Sequence, residues 1–208
     1  MIIHRTPALL RWLYPDLLWR MPAGEHKLYL TFDDGPIPEL TPWILEVLDK
    51  YQVPATFFCV GDNLRKHGAI AAEAHAAGHR IANHTYHHVK GWQMNTASYM
   101  QEVQDCDEAL SPFGESKKRL FRPPYGRISR RQIKALLPDY EIVMWDVLTA
   151  DYDNRQSPEA CLHNSLRTTR DGSIIVFHDN VKATKNIRYA LAPYIERCLE
   201  QGYTFHTL

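Results

Sequence analysis

His84 and His88 stand four residues apart in the string His84-Thr85-Tyr86-His87-His88. On a helical turn that spacing puts both imidazoles on one face, where they can share a metal ion. A catalytic centre of this type keeps three protein ligands and one open position, so a third donor must come from elsewhere in the chain. Asp33-Asp34 offers two carboxylates. Brought together in a buried place they repel, unless one binds a cation and the other handles a proton. A metal ligand beside a general base resolves that conflict, and the residue types alone leave open which aspartate does which. Because the chain holds 11 histidines, an H-x-x-x-H pair also arises by chance. The weight therefore rests on where these residues fall in the fold.

Apolar runs and helical patterns alternate from Lys27 onward. Strand-like stretches are expected over residues 27–32, 55–60, 79–83, 120–122, 141–147, 173–177 and 203–208. Helical spacing covers 41–51, 62–77, 97–110, 129–137, 157–170 and 184–200, with Ser-Pro-Glu at 157–159 reading as an N-cap followed by proline in the first turn. Such alternation predicts a parallel sheet with helical crossovers. On this map the polar residues collect at strand ends: Asp33 and Asp34 after the first, His84 after the third, Arg122 at the fourth, Asp151 after the fifth, His178 and Asp179 after the sixth. The carboxyl ends of parallel strands are where α/β folds build their sites. Any one of these residues alone reads as a solvated loop residue; all of them together do not.

The composition narrows the function classes. The 208 residues hold one substantial core, read as a single domain over 27–208 with an N-terminal extension over 1–26. Lys+Arg and Asp+Glu are balanced at 24 each, which argues against a nucleic-acid partner. The four cysteines are scattered, with no C-x-x-C pair, and read as buried free thiols. The extension groups Leu9, Leu10, Trp12, Leu13, Leu17, Leu18 and Trp19 with Arg11 and Arg20. It reads as a short helix pair broken near Pro15 and packed on the domain, with a peripheral membrane contact through residues 1–20 as the alternative. No apolar run is long enough to span a bilayer, and no basic, apolar and small-residue sequence marks a secretory signal. The expectation is a cytoplasmic location.

Four strings then carry a resemblance: Thr31-Phe32-Asp33-Asp34-Gly35-Pro36, His84-Thr85-Tyr86-His87-His88, Arg122-Pro123-Pro124-Tyr125 and Val176-Phe177-His178-Asp179. In order and spacing they resemble the successive motifs of the polysaccharide deacetylase family, the NodB-homology carbohydrate esterases of family 4, over about residues 28–208. The resemblance implies a distorted (β/α) barrel of about seven parallel strands. It also implies metal-dependent removal of acetyl groups from an N-acetylated sugar or polysaccharide. It casts Asp33 as the catalytic base, Asp34, His84 and His88 as the metal ligands, and Arg122 as the residue that holds the base. Tyr125 stands where a backbone N–H meets the developing oxyanion. His178 is the implied acid, Asp151 its carboxylate partner, and Val176 stands for the leucine that lines the acetyl-methyl pocket. One departure is visible. The family's aspartate-and-tryptophan motif is here Leu148-Thr149-Ala150-Asp151-Tyr152, with leucine for the first aspartate and tyrosine for the tryptophan. Asp146 and Asp153 are competing partners for His178.

The implied cofactor is one divalent ion. Two nitrogen donors and one oxygen suit zinc, and cobalt or nickel also fit. Two other readings share these residues: a deacylase acting on a small non-sugar amide, and a non-catalytic carbohydrate-binding relative.

Overall fold

A computed structural model describes residues 3–114 and 118–208; residues 1–2, where the extension begins, lie outside them. The core elements in chain order are β1 (Lys27–Asp33), α2 (Leu40–Tyr51), β2 (Thr56–Cys59), α3 (Gly61–Ala76), β3 (Arg80–Asn83), α4 (Thr96–Leu110) and β4 (Arg119–Phe121). They continue with α5 (Arg130–Leu136), β5 (Tyr140–Ile142), β6 (Val147–Leu148), α6 (Pro158–Thr168), β7 (Ile174–His178), α7 (Thr184–Glu200) and β8 (Thr204–Phe205). A first helix, α1 (Ala8–Leu13), precedes them. All paired strands run parallel in the order β5-β4-β3-β2-β1-β7-β6, and β8 adds to the start of β1.

The period of two along each strand sorts side chains between two layers. In β1, Leu28, Leu30 and Phe32 pack outward with Ile44, Leu48, Ile187 and Leu191 of α2 and α7. Tyr29 faces the other way, into the curl, with Phe58, Ala82, Leu120, Val143 and Ile174. The same alternation carried to the strand ends delivers Asp33, Arg122 and His178 to the inner face. Sequence pattern and active-site placement are here one geometric fact.

One expected element divides. Residues 141–147 do not form a single strand: β5 ends at Ile142 and β6 begins at Val147, at opposite edges of the sheet. Two edges with only four residues between them in sequence must lie close in space, so the sheet curls into an open barrel. The extension fills the seam. Leu18 N–H donates to Ile142 O at 2.9 Å and Leu18 O accepts Met144 N–H at 2.7 Å. Arg5 bridges Val147 and Arg20 bridges Ser173 in antiparallel fashion. Edge groups that would otherwise be unpaired are thereby satisfied. This is also why the extension is helical only over Ala8–Leu13. The expected second helix is replaced by extended chain whose backbone serves the seam, while Leu17 and Trp19 are buried against Phe121, Tyr140 and Ile142. Each such burial is worth roughly 1.5–3 kcal/mol. Among the described residues no helix is long and apolar enough to cross a membrane, and the four cysteines are free and buried.

Candidate active site

The carboxyl ends of the strands surround a cavity of ≈ 670 Å³. Asp33, Asp34, His84, His88, Tyr125 and His178 all line it, as do Leu148, Tyr152 and Val176. Arg122 and Asp151 lie behind this lining, fully buried.

Asp33 is set by Arg122, whose side chain is wholly inside the curl. Its Nη1 donates to Asp33 Oδ1 at 2.6 Å and to Thr31 Oγ1 at 2.7 Å; Nη2 donates to Met144 O at 3.0 Å and Nε to Val143 O at 3.3 Å. The guanidinium also lies over the Phe58 ring, 4.0 Å from its centroid. Burial lowers the arginine pKa and the Asp33 charge opposes that, as expected for a buried cation kept by its partner. Asp33 Oδ2 has no hydrogen-bond partner among the described residues.

Asp34 meets the two histidines. The ligand atoms of Asp34, His84 and His88 lie within 4.8 Å of one another. Asp34 Oδ1 is 2.9 Å from His88 Nε2 and 3.4 Å from His84 Nε2. His84 Nδ1 contacts Arg122 O at 2.7 Å. A carbonyl only accepts, so Nδ1 carries a proton and Nε2 is the ring atom turned to Asp34. Burial works against the Asp34 charge, and the two imidazoles overcome it, holding the carboxyl well below its usual range.

The histidine pair is not on a helix. Residues 84–90 form an irregular loop in which Thr85 and His88 have φ of 61° and 55°. Its backbone groups are spent on neighbours: Tyr86 N–H donates to Glu102 O, while Thr85 O and Tyr86 O accept from Gly61 and Asp62. Asn83 sets the entry, accepting Thr85 N–H at 2.9 Å and donating to Val103 O and to Asp107 Oδ1 at 2.8 and 2.7 Å. The i,i+4 spacing thus works by a different route from the expected helical turn. His87 points outward to Glu102, 3.0 Å away.

On the far wall His178 Nδ1 contacts Asp151 Oδ1 at 2.8 Å, and its backbone N–H donates to Oδ2 at 2.8 Å. Burial pulls the imidazole pKa down, but the Asp151 carboxylate outweighs it and the value is pushed up to about 9. Neither competing aspartate contacts His178: Asp146 pairs with Arg170 and Asp153 with Arg155. Tyr152 packs edge-on against His178 with ring centroids 4.8 Å apart.

Tyr125 has φ of 60°, and its ring lies 4.6 Å from that of His88. Its backbone N–H has no partner among the described residues. Among the described residues eight non-glycine residues have positive φ, and three of them, Asp34, His88 and Tyr125, line this cavity. Such conformations cost on the order of 1–3 kcal/mol each and persist where the surroundings over-determine them.

Sequence reasoning named Asp179 without its role at the turn after Asp34 and passed over several asparagines. Asp179 Oδ1 accepts Gly35 N–H at 2.8 Å and Oδ2 accepts the Thr41 hydroxyl at 2.7 Å. Burial pushes this carboxyl up to about 8. A side chain at Gly35 would put Cβ 1.7 Å from Asp179 Oδ2, so the turn after Asp34 requires glycine. Asn63, Asn83 and Asn180 also support the site. Their only sequence signal is adjacency, Asn83 just before His84 and Asn180 two residues after His178.

Comparison with known proteins places this geometry in a family. A sequence model described as polysaccharide deacetylase matches residues 20–138. A peptidoglycan-N-acetylglucosamine deacetylase of Bacillus cereus is 36% identical over 158 residues, 76% of this chain and 57% of that protein; the chain thus spans little more than half of that relative's length. A chitooligosaccharide deacetylase of Sinorhizobium fredii is 33% identical, covering 77% of this chain and 75% of that one. Among solved structures, a peptidoglycan N-acetylglucosamine deacetylase in complex with 4-naphthalen-1-yl-N-oxidanyl-benzamide superposes with a TM-score of 0.88 at 32% identity, over 96% of this chain and 94% of that chain. The open parallel barrel, the cavity at its carboxyl end and these similarities identify the chain as a member of the polysaccharide deacetylase family.

Proposed function

We propose that the protein is a metal-dependent hydrolase that removes N-acetyl groups from an N-acetylated saccharide. The observation that carries this reading is the convergence on one cavity of a three-donor cluster, a carboxylate with a free oxygen and an imidazole charged by its own carboxylate. Asp34, His84 and His88 would hold the ion. The donor set fits, because two imidazole Nε2 atoms and one carboxylate oxygen already converge within 4.8 Å. Zinc is the first choice, with cobalt or nickel compatible. When bound, the ion supplies Lewis acidity, lowering the pKa of water and polarising the amide carbonyl.

The chain's own residues do the rest. Asp33 Oδ2 accepts the proton that the attacking water loses, and Arg122 keeps Oδ1 occupied so that the carboxylate presents one oxygen to the cavity. Tyr125 N–H donates to the oxyanion that develops on the carbonyl. His178 gives its Nε2 proton to the leaving nitrogen, which departs as an amine, and Asp151 holds Nδ1. Water and amide give carboxylic acid and amine, with one proton accepted at Asp33 and one delivered from His178; the acid then gives its proton to the amine or to water. Val176 and Leu148 present apolar surface suited to an acetyl methyl. The exposed rings of Tyr125 and Tyr152 border the cavity, where a sugar ring could stack. The saccharide reading takes further support from the names of the relatives.

The relatives include a pseudoenzyme, described as one of carbohydrate esterase family 4, with a TM-score of 0.80 and 26% identity, so fold alone does not carry catalysis. Here the free Asp33 oxygen, the His178–Asp151 pair and the Asp34, His84 and His88 cluster support the catalytic reading. The test is acetate release from N-acetylglucosamine oligomers by zinc-loaded protein. Turnover that disappears on chelation and returns with metal is expected. Metal binding without acetate from any N-acetylated saccharide would move the reading to a non-sugar amide. Neither metal binding nor turnover would move it to a non-catalytic relative.

A further inference from the structure

The two oxygens of Asp34 have different neighbours. Oδ1 faces His84 and His88, whereas Oδ2 accepts from Asn180 Nδ2 at 2.5 Å. The orientation of the Asn180 amide is not arbitrary. Its Oδ1 accepts Ala183 N–H at 3.0 Å, a bond only the carbonyl oxygen can make, so the NH₂ group must face Asp34. The aspartate is pinned a second time at its backbone, where Asn63 Nδ2 donates to Asp34 O at 2.7 Å. All this is imposed on a residue with φ of 89°.

We infer that Asn180 is a positioning residue for the metal ligand. It occupies Asp34 Oδ2 so that only Oδ1 is offered to the ion. The inference rests on the metal reading above and adds a residue that none of the four recognised strings contains. A carboxylate with both oxygens free can bind a cation through one or both. Held by one oxygen, it leaves a coordination position for water and substrate, which a catalytic site needs. An amide suits the task because it donates a hydrogen bond without cancelling the carboxylate charge, as a lysine there would. Partners that orient a metal ligand typically contribute 10–100-fold to metal affinity.

Two variants separate this role from helix capping. Asn180→Ala loses both bonds, while Asn180→Asp keeps an acceptor for Ala183 N–H but has no N–H for Asp34. Each is loaded with Co²⁺, and its visible absorption is recorded, since d–d bands weaken as coordination number rises. Zn²⁺ affinity is measured by chelator competition, and circular dichroism confirms folding. Asn180→Ala is expected to bind Zn²⁺ roughly 10–100-fold more weakly and to give weaker Co²⁺ bands, and Asn180→Asp is expected not to restore the native spectrum. Wild-type affinity and spectrum in Asn180→Ala would overturn the inference. Full restoration by Asn180→Asp would also overturn it, leaving Asn180 as a cap for α7. If the unaltered protein binds neither ion, the metal reading itself fails and this inference with it. Normal binding by the unaltered protein with unchanged variants sinks the inference alone.

Discussion

Two arginine–aspartate pairs sit at opposite ends of the curled sheet, and they are finished differently. At the amino end Asp146, fully buried, receives Arg170 Nη2 at 2.7 Å on Oδ1, and Arg170 Nε and Ser173 Oγ at 2.9 Å on Oδ2. Both oxygens are used, and the hydrogen bonds and charge of Arg170 overcome burial to lower the carboxyl pKa. At the carboxyl end Asp33 has Arg122 on Oδ1 only, with Oδ2 left to the cavity. The arginine is treated in the opposite way: Arg122 is fully enclosed, whereas a third of the Arg170 side chain meets water. A pair that closes the fold satisfies its carboxylate. The pair that faces the cavity satisfies its arginine and leaves the carboxylate short of one partner. The His178–Asp151 pair differs from both: His178 uses both Asp151 oxygens, and the atom left to the cavity is on the imidazole.

The largest effect expected is at the ligand cluster on which the carboxyl-end pair depends. His84→Ala or His88→Ala should abolish metal retention under chelator competition, and activity with it. Elemental analysis of the purified variants checks this, and normal metal content in both would remove the assignment. Next, Asp33→Asn should lose roughly 10²–10⁴ in turnover while keeping its metal, because asparagine still offers Arg122 Nη1 an acceptor. If metal is lost in step with activity, Asp33 and Asp34 trade roles.

A smaller change is expected from Asp151→Asn, and it is read as a displacement along the pH axis. With Asp151 charged, His178 titrates at about 9. The rate should therefore hold until the pH approaches that region and then fall as the proton is lost. A cation bound beside Asp34 offsets the part of the shift that Asp34 contributes. Removing the Asp151 charge should bring the high-pH limb down toward the ordinary imidazole value of ~6.5, with metal content unchanged. An unmoved limb would exclude Asp151 as the partner. The same raised value makes a stability contribution that is fully present below about pH 6.5 and lost as pH rises through about 9.

The smallest effect on turnover belongs to the amino-end pair. Arg170→Ala should cost roughly 3 kcal/mol of folding stability, the low end for breaking a buried pair, because Arg170 is partly solvated. Turnover of the folded fraction should stay unchanged. Denaturant unfolding and kinetics on the same preparation decide it, and a large loss of turnover per folded molecule would erase the contrast between the two ends.

The strand alternation and the chemical identity of the site were legible in the residues. Leu28, Leu30 and Phe32 against Tyr29, Thr31 and Asp33 already state which side chains share a face, because a period of two is a local property of extended chain. The Asp33-Asp34 and His84/His88 strings point by type and spacing to a metal site beside a base, and the resemblance adds His178 as the implied acid. What the residues did not disclose depends on partners distant in the chain. The split of 141–147 into β5 and β6 follows from sheet curl, and the extended Leu17–Arg20 stretch follows from edge groups that only the closed seam presents. The His84–His88 loop adopts positive φ because α3 and α4 take its backbone bonds. Asn180 reaches Asp34 across 146 positions of sequence, and no local periodicity encodes that meeting. Local pattern determined which faces share the core; tertiary structure decided which carboxylate oxygens are taken and that Asp33 Oδ2 is left free, because that depends on donors that only the folded chain brings within hydrogen-bond reach.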